Sequence, residues 1–63
     1  MITQAAIQLR DGDVFTNNDG ADWYHIVHRL VVSTNSGMEA VLVMTDHMEK
    51  VWLWADEEVV VRI

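Results

Sequence analysis

The constraint that bears hardest on this 63-residue chain is the absence of cysteine. A domain of this length buries only about 60% of the surface its unfolded form exposes, and many small folds add disulfides or a thiolate zinc site to compensate. Neither device is open here. Close packing of apolar side chains must hold the fold, alone or with a second copy, and an apolar content of 51% supplies the material. There is no proline, no serine-rich linker, no repeat and no charge block longer than Asp56-Glu57-Glu58. Residues 1–63 are therefore expected to form one domain, too small for a deep cleft between lobes.

Turn residues divide the chain. Arg10-Asp11-Gly12-Asp13, Asn17-Asn18-Asp19-Gly20, Asn35-Ser36-Gly37 and Thr45-Asp46-His47 punctuate segments rich in β-branched and aromatic residues, which suit a pleated, half-buried surface. Strands are predicted at 13–16, 23–34, 38–44, 50–55 and 59–63. Asn35-Ser36-Gly37 reads as a tight hairpin with Gly37 or Asn35 at positive φ, so the strands on either side of it should pair antiparallel. The long segment 23–34 is cleanly polar on neither face, the pattern of a strand that bends and passes from one sheet to another. Val59, Val61 and Ile63 are expected to face inward, and Asp56-Glu57-Glu58 to make a short 3₁₀ turn before the last strand. Residues 1–8 fit both periodicities: Ile2, Ala5, Ala6 and Leu9 at helical spacing, or Thr3, Ala5, Ile7 and Leu9 in alternation. An extended arm or short strand is the favoured reading, a short helix the other.

Two strings carry a family resemblance. Leu9-Arg10-Asp11-Gly12-Asp13-Val14 resembles the Leu-x-x-Gly-Asp-Val lead into the first strand of small bacterial and phage β-barrel proteins, and Trp23-Tyr24-His25-Ile26-Val27 resembles their Trp-started second strand. With the order of elements from Leu9 to Ile63, this layout resembles a five-stranded antiparallel Src-homology-3-like barrel of the bacterial or phage accessory type. Such barrels serve as adaptors, nucleic-acid binders and parts of larger machines, so the likeness implies a fold and no catalytic residues. Proline-rich ligand recognition is not implied, because the groove's proline and second tyrosine are missing.

Ten acids against four bases give a net charge of −6, which disfavours nucleic acid and favours a protein partner with a basic surface. Asp11, Asp13, Asp19 and Asp22 gather in the first loops, and Asp56, Glu57 and Glu58 precede the last strand. Their spacing does not match the helix-flanked calcium loop, and turn chemistry accounts for them. His25 and His28, three apart, should fall on opposite strand faces and so share no ion unless the strand is broken there. No nucleophile elbow, phosphate-cradling glycine loop or desolvated carboxylate pair is present. The reading is a non-enzymatic module without catalytic residues, metal or cofactor, and no apolar run in the first residues has signal-peptide length, so a cytoplasmic setting is expected.

Trp52 and Trp54 share one face of a strand while Val51 and Leu53 share the other. Either the tryptophans stand outside as anchors for a partner, or they cap the barrel and Val51 faces out. Trp52 and Trp54, with the seven acids named above, are the candidate partner-binding residues. A homo-oligomerising structural subunit is the alternative, and a nucleic-acid-binding barrel the third, which would need Arg10, Arg29, Lys50 and Arg62 to converge.

Overall fold

The computed structural model describes residues 1–17 and 22–62. The favourable alternation and turn residues produce strands β1 (Ile2–Ala5), β2 (Val14–Thr16), β3 (Tyr24–Ser33), β4 (Glu39–Thr45), β5 (Lys50–Trp54) and β6 (Glu58–Arg62), with one 3₁₀ turn at Ala6–Gln8. Among the described residues they form one antiparallel sheet in the order β1-β6-β2-β3-β4-β5. The all-β class and the five expected strands are present within a residue or two of their predicted ends.

The expected five-stranded closed barrel is corrected in three respects. There are six strands, because Ile2–Ala5 pairs with β6 from Ile2↔Val61 to Ala5↔Glu58. Strand β6 is apolar on both faces through Val59, Val60 and Val61 and is flanked on its other edge by β2, so the sixth strand completes its hydrogen bonding. The ladder stays open between β5 and β1. That gap is spanned instead by the 3₁₀ turn, where the Ala6 and Ile7 N–H groups donate to the carbonyls of Glu57 (2.8 Å) and Ala55 (3.0 Å). Finally, the 3₁₀ turn lies at Ala6–Gln8 and not before the last strand. At 54–57 there is a β-turn, closed by Glu57 N–H donating to Trp54 O at 3.0 Å.

Strand β3 bends as its mixed pattern suggests. Its first residues pair with β2 (Val14↔His25, Phe15↔Tyr24), and from Ile26 onward it pairs with β4, with a register shift between Ile26 and His28. The bulge leaves Val27 outside the ladder. Between the two arms lies the core: Ala6, Leu9, Phe15, Ile26, Val41, Val43, Leu53, Val59 and Val61 are buried together, and the Phe15 and Tyr24 rings stand 5.4 Å apart. Val59 and Val61 face inward as expected; Ile63 lies outside the described residues.

The two hairpins flanking β4 share one design. In the first, Thr34 N–H donates to Met38 O (2.8 Å), Gly37 N–H donates to Thr34 O (3.0 Å), and Gly37 takes φ +83°. In the second, Thr45 N–H donates to Glu49 O (2.9 Å) and Met48 N–H to Thr45 O (3.0 Å), but the left-handed position is held by Met48 at φ 62°. Buried Thr45 reinforces this loop, its Oγ1 accepting from the N–H of His47 (3.3 Å) and Glu49 (3.2 Å). An L-residue in this conformation costs about 1–2 kcal/mol, and the Met48 side chain, 85% exposed, returns little packing. Met48→Gly is therefore expected to stabilise the domain by about 0.5–1 kcal/mol after the added freedom of the unfolded chain is deducted, while Gly37→Ala should destabilise it by about 1 kcal/mol. Urea unfolding checks both; changes of equal sign would refute the shared design.

Candidate functional site: the outer face of the second arm

The run Ala40-Val41-Leu42-Val43-Met44 contains no polar residue, so β4 must present apolar side chains to both sides. One side is the core, through Val41 and Val43. The other is set by register: Leu30↔Leu42↔Trp52, Val32↔Ala40↔Trp54 and His28↔Met44↔Lys50 run as three rows across β3, β4 and β5, and side chains directly opposite one another share a face. Leu30, Trp52 and Trp54 are exposed, with 59% of Trp52 and 49% of Trp54 accessible, while Leu53 between them is buried at 3%. Of the two readings open to the tryptophans, the outward one holds. Val51 lies on the core side, packed against the core cluster.

These rows contain no aspartate or glutamate, although the chain has ten. Acids instead flank β5 in the chain, with Asp46 and Glu49 before it and Asp56, Glu57 and Glu58 after it. Beside the tryptophans is a concavity of about 330 Å³, with Ala40, Trp52, Leu53 and Trp54 as its apolar lining and Thr34 and Glu57 completing it. The small side chain of Ala40 opposite Trp54 leaves room for it. Glu57 is held there because its Oε1 accepts from Trp54 N–H at 3.2 Å.

The other candidate acids divide differently. Asp11 Oδ1 accepts from Arg29 N–H (3.0 Å), and its Oδ2 lies 3.6 Å from His28 Nδ1. Asp13 Oδ2 accepts from Arg10 N–H (2.9 Å). Both carboxylates thus fasten the β2 lead-in to backbone amides and sit apart from the tryptophans. Asp22, Asp56 and Glu58 are exposed, Glu58 opening β6 opposite Ala5. Asp19 lies outside the described residues.

The expectation that His25 and His28 occupy opposite faces is corrected by the bulge. Ile26 pairs with inward Thr45 and His28 with outward Met44, so the extra residue, Val27, turns both histidines to the outside. They still take different partners: His25 Nδ1 lies 3.5 Å from Asp46 Oδ2, and His47 Nε2 lies 3.7 Å from Asp46 Oδ1. Among the described residues no three metal-ligating side chains converge.

Two features escape a reading by spacing. Leu30 and Leu42 extend the tryptophan pair into a face, which the unbroken apolar run at 40–44 signals only once the register is known. Arg10, Arg29 and Arg62 line one cavity, and nothing in their separation along the chain announces it. Comparison with protein-family models, curated proteins and solved structures returned no match. Among the described residues no helix is long and apolar enough to cross a membrane.

Acrylamide should quench Trp52 and Trp54 readily and Trp23 much less, since Trp23 is half-buried under the Arg62 guanidinium, 4.3 Å from its ring centroid. Converting Trp52 and Trp54 to phenylalanine should leave a shielded emission. Equal protection of all three tryptophans in the monomer would contradict the outward face.

Proposed function

We propose that the chain is a non-enzymatic protein-binding module that docks through the outer face of β3, β4 and β5 onto a partner with a basic surface. The observation that carries this reading is the exposed Trp52–Trp54 pair continuing into Leu42 and Leu30 on a sheet face free of acids. Clustered tryptophans are the residues most enriched at interface hot spots, and a large exposed apolar face on a small domain marks an interaction surface. The acids bracketing β5 supply the polar rim that such interfaces have, and the net charge of −6 steers the module towards a basic surface and accelerates encounter. In this reading the protein is an accessory factor of the type phages and mobile elements encode, acting by occupying or inhibiting a host protein.

Replacing both tryptophans by threonine keeps strand propensity and removes the anchors. Affinity capture with the wild-type chain is expected to retain a basic-surfaced partner that the double variant loses, each tryptophan contributing about 2 kcal/mol or more. Retention of the same partner by a folded double variant would refute the proposal.

A second reading, a structural homo-oligomer, is favoured by one specific observation: with no acid in its rows, this face brings no pair of carboxylates together across a two-fold contact. Sedimentation across micromolar concentrations separates the two. A dimer abolished by the double threonine variant supports the second reading, and a monomer removes it.

A further inference from the structure

Three of the chain's four Lys and Arg residues line one cavity. Arg10 lies between the 3₁₀ turn and β2, Arg29 on β3 and Arg62 at the end of β6, yet all three line a single open cavity of about 620 Å³ together with Gln4 and Gln8. Ile2 and Ile7 give it an apolar wall. The fourth base, Lys50, is on the outer face of the other arm and takes no part.

The arrangement is unusual for its charge. In a chain with ten acids and four bases, arginines would be expected to scatter among carboxylates, and grouping three of them raises their mutual repulsion. Asp13 is, among the described residues, the one acid lining the cavity, its carboxylate accepting a hydrogen bond from Arg10 N–H, and Asp11 lines a neighbouring concavity with Arg10 and Arg29. Among the described residues the ion pairs all involve histidine and none of the three guanidiniums is in one, although that of Arg62 lies over the Trp23 ring. Arg29 is the most telling of them. It shares a face with Val43 and Val51, the core-facing side of β3, and is half-buried there. Its guanidinium carries five N–H donors and no acceptor.

We propose that this groove binds a phosphate-bearing ligand of nucleotide size, independently of the tryptophan face. Guanidiniums delivered from the β2 lead-in, β3 and β6 suit a doubly charged group with three terminal oxygens better than a carboxylate with two, because each planar fork can take its own oxygen edge. Gln4 and Gln8 add neutral donors, and Ile2 and Ile7 offer a surface on which a flat ring can lie. The cavity volume falls in the range of small-molecule sites. The surrounding −6 charge does not forbid it, since long-range repulsion is screened over about 8–10 Å at physiological salt while contact hydrogen bonds persist.

The test is a titration of ¹⁵N-labelled protein with inorganic phosphate, adenosine monophosphate, oligothymidylate and, as a carboxylate control, acetate, each to about 10 mM in phosphate or carboxylate groups, enough to saturate a site of about 1 mM Kd. Saturable shifts are expected at the amides and side-chain Nε–H signals of Arg10, Arg29 and Arg62, stronger with adenosine monophosphate than with phosphate and weakest with acetate. Arg10→Gln, Arg29→Gln and Arg62→Gln should each weaken binding about tenfold or more, and Lys50→Gln and the double tryptophan variant should leave it unchanged. Arg10 is exposed, so its variant remains informative if Arg29→Gln does not fold. Oligothymidylate, whose phosphodiesters carry one charge and two terminal oxygens, should bind more weakly per phosphate than adenosine monophosphate; tighter binding of the oligonucleotide, beyond its number of phosphates, would overturn the terminal-phosphate proposal. Absence of saturable shifts with every phosphate probe, acetate binding as tightly as phosphate, or shifts unchanged in the arginine variants would overturn the proposal.

Discussion

The change of partner along β3 is the constraint on which the other features rest. Up to His25 the strand pairs with β2, from Ile26 it pairs with β4, and the bulge at Val27 follows that change by one residue. Ile26 is driven inward at the turning point, where it joins Phe15 from one arm and Val41 and Val43 from the other. A one-residue change of register exchanges the faces of a strand, so the bulge also decides what the second arm shows to solvent. With Val27 taken out of the ladder, Leu30 and Val32 align with Leu42, Ala40, Trp52 and Trp54 on the outside.

A chain without cysteine must then hold its fold by packing, and it does so with Phe15 and aliphatic side chains drawn from β2 to β6, from the 3₁₀ turn and from Leu9. What is left over is distributed unevenly. Tryptophan and leucine occupy one sheet face without acids, carboxylates flank it or fasten backbone turns, and three arginines collect in the cavity beside β1 and β6. The net charge of −6 therefore describes no single surface of the molecule, since its most basic and its most apolar regions are both local and separate.

Local chemistry was legible in the residues. Glycine at position 37 marked a hairpin because the turn requires positive φ, and the mixed faces of 23–34 marked a strand that changes sheets. Other features depend on contacts between distant residues. Ile2 to Ala5 satisfy helix and strand spacing equally, and only the free edge of β6 selects the strand. The bulge at Val27 carries no glycine to reveal it, yet it brings His25 and His28 to the same side. Asp11 and Asp13 were recognisable as turn residues, but their use on the backbone amides of Arg29 and Arg10 was not. The arginines at 10, 29 and 62 line one cavity from the β2 lead-in, β3 and β6, which no spacing rule encodes.

The register across β3, β4 and β5 is the claim that supports the most, and proton–proton Overhauser contacts from the tryptophan rings test it directly. This register predicts contacts from the Trp52 ring to Leu42 methyls and from the Trp54 ring to Ala40, with neither ring reaching Phe15 or Val59. Contacts from Trp52 or Trp54 to those core residues, with Leu53 turned to solvent, would contradict it.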